Sequence, residues 1–181
     1  MRGDDVKPGN ACAQAVESPE GGNGAAKKPW ADGKTRKTVY LHPGQAVIAS
    51  EPSELTTVLG SCVSVCLFDP AAEVGGMNHY LLPLEVEREK SLRYGGQAME
   101  HLLAGVLGAG ADRRRLQAKV FGGASVIDAF RHRNLGADNV ELALHFLERL
   151  GIPVIERDVG ERGGRKVVFH TDSGAAWVKR L

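Results

Sequence analysis

Residues 63–82 constrain this chain more than any other stretch. Val63, Val65 and Leu67 alternate with Ser64 and Cys66, Asp69-Pro70 interrupts the run, and a second apolar segment follows over 77–82. Alternation with a period of two marks a strand that turns one face to a core, and two such runs around a turn signal predict a hairpin. The remaining segments must therefore complete a sheet and cover it. Residues 38–41 and 46–49 flank His42-Pro43-Gly44 as strand, turn, strand. Leu92, Met99, Leu102, Leu103, Val106 and Leu107 fall largely at helical spacing and predict a helix over 91–108, with Gly108 and Gly110 available to stop it.

A strand over 116–121 runs into Gly122-Gly123, and a second helix is expected to open at Asp138, where Asp138 and Glu141 have the capping-box spacing. Val140, Ala143, Leu144, Leu147 and Leu150 form its buried stripe and Gly151 ends it. Residues 152–155, 166–170 and 175–179 read as strands, the last two joined by a turn at Asp172-Ser173-Gly174. Strands outnumber helices and most neighbours look hairpin-linked. The expected class is α+β and layered, a mixed or mainly antiparallel sheet with two main helices packed on it.

Residues 1–36 lack any helix or strand period and predict a disordered N-terminal tail, leaving 37–181 as a single domain large enough to bury a core. Lys27, Lys28, Lys34, Arg36 and Lys37 are read as a solvated basic linker, and Cys12 has no role. The 23 basic and 22 acidic side chains leave a formal charge of +1, so no global field favours nucleic acid or an anionic membrane. No run approaches the length of about 20 apolar residues that spans a bilayer, and the start has no signal-peptide core, which predicts a cytoplasmic protein without membrane insertion. Three cysteines, Cys12, Cys62 and Cys66, are too few and too uneven for a disulfide framework.

If Leu67 pairs with Val74 across the hairpin, Cys62 stands opposite His79, and directly opposed side chains are close enough for a thiol to meet an imidazole. An adjacent imidazole can take the thiol proton and hold a reactive thiolate. Gly60 lets the chain turn tightly before Cys62, and the N–H groups of that turn are candidates to face an oxyanion. Against this stands the ordinary role of cysteine and histidine as packed residues, which is the reading for Cys66. The spacing of Cys62 and Cys66 lacks a second ligand pair for zinc, so no metal or cofactor is expected. His42, His101, His132, His145 and His170 are scattered without ligand spacing. Gly122-Gly123-Ala124-Ser125 lacks the elements of a phosphate loop and reads as a tight turn.

Leu59-Gly60-Ser61-Cys62-Val63-Ser64-Val65-Cys66, Asp69-Pro70, Gly75-Gly76-Met77-Asn78-His79 and Leu82-Pro83 together resemble the signature of the chemoreceptor glutamine deamidases, the CheD family. The resemblance continues through Tyr94-Gly95, residues 118–124, Asn134-Leu135-Gly136 and residues 164–167, and covers about 38–181. It implies a cysteine-dependent protein-glutamine amidohydrolase of chemotaxis, acting on the cytoplasmic domains of methyl-accepting chemoreceptors, with glutamyl methyl esters as further substrates in some members. Cys62 then matches the nucleophile, His79 the base and Thr56 the threonine that completes the catalytic set, with Thr57 the substitute if the register slips by one. A CheC-type phosphatase is a partner in some relatives. Gly96 and Asp138 depart from the family pattern on the two helices. The competing readings are a noncatalytic module that binds receptors or a phosphatase, and a cysteine hydrolase with another protein substrate. No exposed apolar stripe asks for a second copy, so a monomer is expected.

Overall fold

The computed structural model describes residues 32–83, 90–125 and 134–181. Among the described residues nine strands form two sheets: β1 (Lys37–Tyr40), β3 (Ser53–Leu59), β8 (Arg165–His170) and β9 (Ala176–Arg180) in one, and β2 (Gln45–Ala49), β5 (Val74–His79), β4 (Val63–Asp69), β6 (Gln117–Gly122) and β7 (Val154–Val159) in the other. Two helices, α1 (Gly95–Gly108) and α2 (Leu135–Arg149), cover the five-stranded sheet. The class is α+β, as the sequence pattern predicts, with mixed rather than uniform strand pairing.

Three layers follow from how β4 and β5 divide their side chains. Val63, Val65, Leu67, Val74 and Tyr80 join Met99, Leu102 and Val106 of α1 and Ala143 and Leu147 of α2 in one core. Cys66, Phe68 and Met77 face the other way and meet Leu55, Leu59, Val167 and Phe169 of the four-stranded sheet in a second core. Covered on both faces, β4 is buried along its whole length. Its Ser64 hydroxyl is satisfied by donating to the Asn78 carbonyl at 2.6 Å, as a buried polar group requires.

Several expectations need correction. β1 and β2 do not pair: β1 runs parallel to β3 while β2 lies antiparallel to β5, so His42-Pro43-Gly44 carries the chain from one sheet to the other. β3 was not anticipated at all. In the β4–β5 hairpin Asp69 pairs with Val74 and Cys66 with Met77, a register two residues tighter than the expected Leu67–Val74 pairing. A shift of two keeps every side chain on its face, yet Cys62 no longer stands directly across from His79. Helix α2 starts at Leu135 rather than Asp138, with the Asn134 side chain accepting from Ala137 N–H as its cap. β6, α2 and β7 form a crossover unit, because β6 and β7 are parallel.

The expected tail falls mostly on residues 1–31, outside the described residues, as do Cys12, Lys27 and Lys28. Arg36, expected in a solvated linker, is instead packed down: its guanidinium donates to Asp172 at 2.6 and 2.9 Å and to Asp32 at 2.7 and 2.9 Å. Among the described residues no helix is long and apolar enough to cross a membrane.

Candidate active site

The site is built where β3, the start of β4 and the end of β5 meet between the two sheets. On β3, Leu55, Thr57 and Leu59 share a face because side chains alternate along a strand. Leu55 and Leu59 belong to the inter-sheet core, so Thr57 points between the sheets and Thr56 points away from them. Thr57 Oγ1 lies 2.8 Å from His79 Nδ1 and donates to the Leu41 carbonyl at 2.8 Å. A carbonyl can only accept, so the hydroxyl proton is committed to Leu41 and Oγ1 accepts from His79 Nδ1–H. That selects one imidazole tautomer and leaves Nε2 with its lone pair. His79 is 2% exposed, and its Nε2 has no hydrogen-bond partner among the described residues.

Cys62 immediately precedes β4, is half-buried and packs against the same inter-sheet core. Burial pushes its thiol pKa up. Burial also depresses His79, to about 4, with a backbone hydrogen bond to Leu41 opposing the shift and the nearby His42 adding to it. Both shifts favour the neutral form of each group, and among the described residues no hydrogen bond joins Nε2 to the Cys62 thiol. Cys66 is fully buried in the inter-sheet core, and burial raises its thiol as well; it packs, as expected.

The loop that carries Cys62 is held by its carbonyls. Gly60 C=O accepts from Ala124 N–H at 2.8 Å, Ser61 C=O from Asn139 Nδ2 at 3.0 Å, and Cys62 C=O from Gly123 N–H at 2.8 Å. Gly122 has φ of +107° and Gly123 of +67°, and a Cβ on Gly122 would collide with the Cys62 carbonyl. The segment 122–124, read from the sequence as a tight turn, is therefore the cradle of the cysteine loop. The N–H groups of Ser61 and Cys62 take no part in these bonds, and that of Cys62 lies within reach of its own thiol.

With this geometry in place, similarity to known proteins gains meaning. The family described as CheD chemotactic sensory transduction matches residues 81–180. A protein of Anaeromyxobacter dehalogenans (strain 2CP-C), named probable chemoreceptor glutamine deamidase CheD 1, is 55% identical over 175 residues, covering 96% of this chain and 95% of that one. The chain belongs to the CheD family. Proteins named probable chemoreceptor glutamine deamidase CheD from Agrobacterium fabrum and Trichlorobacter lovleyi are 47% and 43% identical, covering 77% and 82% of this chain and 78% and 94% of theirs.

Of the residues that match the CheD pattern, His79 bonds Thr57, while Cys62 packs against the same inter-sheet core without a hydrogen bond to Nε2. Thr57, not Thr56, bonds the imidazole; the Thr56 carbonyl accepts from Leu41 N–H at 2.8 Å and its side chain lies on the other face of β3. Strand parity in 53–59 carries the signal that decides between them, since Leu55 and Leu59 are the apolar residues in phase with Thr57. Asn139 had no assigned part. Its one trace in the sequence is a poor helix former within a helical run.

Proposed function

We propose that this CheD chain is a protein-glutamine amidohydrolase that converts glutamine side chains of bacterial chemoreceptors to glutamate through a thioester on Cys62. The observation that carries the reading is the imidazole of His79, held by Thr57 at Nδ1 and left with an unpartnered Nε2 on the side of the sheet that Cys62 packs against. The names of the CheD relatives supply the substrate class.

As the glutamine carbonyl carbon approaches Sγ, His79 Nε2 accepts the thiol proton and a carbon–sulfur bond forms. The tetrahedral oxyanion is met by backbone N–H groups of the 61–62 loop. Collapse breaks the carbon–nitrogen bond, His79 returns the proton to the leaving nitrogen, and ammonia departs. Water, deprotonated by the same Nε2, then attacks the thioester to release glutamate and the free thiol. Glutamyl methyl esters fit the same steps with methanol as leaving group. New carboxylates on the receptor's signalling helices alter helix packing and create sites for methylation, which places the activity in chemotaxis adaptation, with a CheC-type phosphatase as a further partner.

Incubating the protein and its Cys62→Ala variant with a chemoreceptor cytoplasmic region tests the reading. Conversion appears as a mass gain of about 1 Da per site with matching ammonia release, and the alanine variant is expected to give neither, because the acyl transfer needs the sulfur nucleophile. Equal conversion by both would remove Cys62 from the chemistry.

A further inference from the structure

We infer that Asn139 of α2 is a positioning residue that aims the Cys62 N–H at the reacting carbonyl oxygen. The inference rests on the proposed Cys62 chemistry and extends it to a helix on the far side of the sheet. Asn139 is fully buried, and its Nδ2 spends both protons on backbone carbonyls, Ser61 at 3.0 Å and Leu81 at 2.9 Å. Both partners are acceptors, which fixes the orientation of the amide. Its Oδ1 is left without a partner among the described residues. A buried acceptor left unmatched is costly, so the side chain retains its place through what its two donors hold.

Those two carbonyls bracket the chemistry. Ser61 immediately precedes the nucleophile, and Leu81 lies two residues beyond His79, so one amide ties the two catalytic segments to each other and to α2. The Ser61–Cys62 peptide is trans, and a planar trans peptide points its C=O and N–H in opposite directions. Drawing the Ser61 carbonyl toward α2 therefore turns the Cys62 N–H away from the helix layer, toward the inter-sheet side on which Cys62 packs and His79 shares a face with Met77. The carbonyls on either side are fixed by main-chain donors of 123 and 124, so among the three only the central peptide depends on a side chain.

The placement of Asn139 is itself secured. The Tyr80 hydroxyl donates to the Asn139 carbonyl at 2.5 Å. At Gly136, one turn earlier, an added Cβ would lie 2.5 Å from the Gly123 carbonyl oxygen and 2.6 Å from that of Ala124. Helix α2 thus seats directly on the cradle of the cysteine loop.

The test separates oxyanion support from general loosening by comparing two reactions of the same sulfur. Iodoacetamide alkylates Cys62 by displacement at carbon and forms no oxyanion, whereas deamidation forms one. In Asn139→Ala, the alkylation rate of Cys62 and its pH profile are expected to stay within about twofold of wild type, while kcat for deamidation falls roughly tenfold or more with KM little changed. Asn139→Asp, close in shape but without either N–H donor, is read the same way should the alanine variant fail to fold. Turnover left intact in a folded variant overturns the inference, as does a parallel loss of alkylation and turnover, which would mean a displaced thiol. Cys62→Ala run alongside separates the two levels: if it still deamidates, the cysteine reading itself falls and the role of Asn139 with it.

Discussion

At the scale of single residues, the site turns on which atom of His79 is free. Thr57 accepts from Nδ1 because its own proton is already given to Leu41, so the hydroxyl acts as an orienting relay between a backbone carbonyl and the imidazole. Deleting it leaves Nδ1 without a partner in a buried place and lets the ring rotate or change tautomer. Thr57→Ala is expected to lower kcat for deamidation about tenfold or more, the worth of one buried hydrogen bond expressed in rate. Thr57→Ser should restore most of it. Thr56→Ala, on the opposite face of β3, should stay within about threefold of wild type, since it alters no group at the base. Steady-state kinetics on the three variants decides the matter, and a larger loss for Thr56→Ala than for Thr57→Ala would contradict the geometry.

At the scale of elements, helix α2 and the turn after β6 are fitted backbone to backbone. Alanine is ordinarily the better helix residue by about 1 kcal/mol, yet at Gly136 its methyl would press on the carbonyls of Gly123 and Ala124, and overpacking of that kind costs about 1–3 kcal/mol. Gly136→Ala should therefore lower the urea midpoint rather than raise it, and because α2 carries Asn139 it should lower kcat too. A stabilised variant would show that the helix does not rest on this turn. The same elements show what the sequence disclosed. The two helices and β4, β6, β8 and β9 were legible because their periodicity and glycine stops are local, whereas β5 and β7, expected over 77–82 and 152–155, span Val74–His79 and Val154–Val159. β3 was not, since Ser53, Thr56 and Thr57 dilute its alternation and its burial comes from the second sheet. The pairing of β1 with β3 and of β2 with β5 joins strands distant in sequence, which no local pattern records. The hairpin register slipped by two because Phe68 and Asp69, taken for loop, are strand: Asp69 is buried and anchored by Arg115 at 2.8 and 3.0 Å. A slip of two preserves the face, so Cys62 and His79 stay on the inter-sheet side expected of them, whereas Asn139 needed the third layer to be seen.

At the scale of the whole molecule, closing two sheets over an imidazole makes folding itself sensitive to acid. His79 titrates near 6.5 when exposed in the unfolded chain and near 4 when buried neutral between the sheets. Between those values the unfolded chain binds a proton that the folded chain refuses, so stability rises with pH across this window and is lost as pH falls through it. At about 1.4 kcal/mol per unit, the depression corresponds to roughly 3 kcal/mol lost between pH 6.5 and pH 4. His170, also depressed by burial, adds to the loss with the same sign. The buried carboxylate of Asp69 acts lower. Arg115 holds its pKa well below the usual carboxylate range, so its contribution is present above its ordinary pKa of 3.8 and disappears only as the solution becomes more acidic than that. Urea unfolding of the protein from pH 7 to pH 4 should thus show a steady fall in stability before the carboxylates titrate. His79→Gln, which keeps an amide within reach of Thr57 but cannot ionise, should flatten most of that fall and leave the share of His170. An unchanged slope in His79→Gln would mean that the imidazole is not held neutral by the fold.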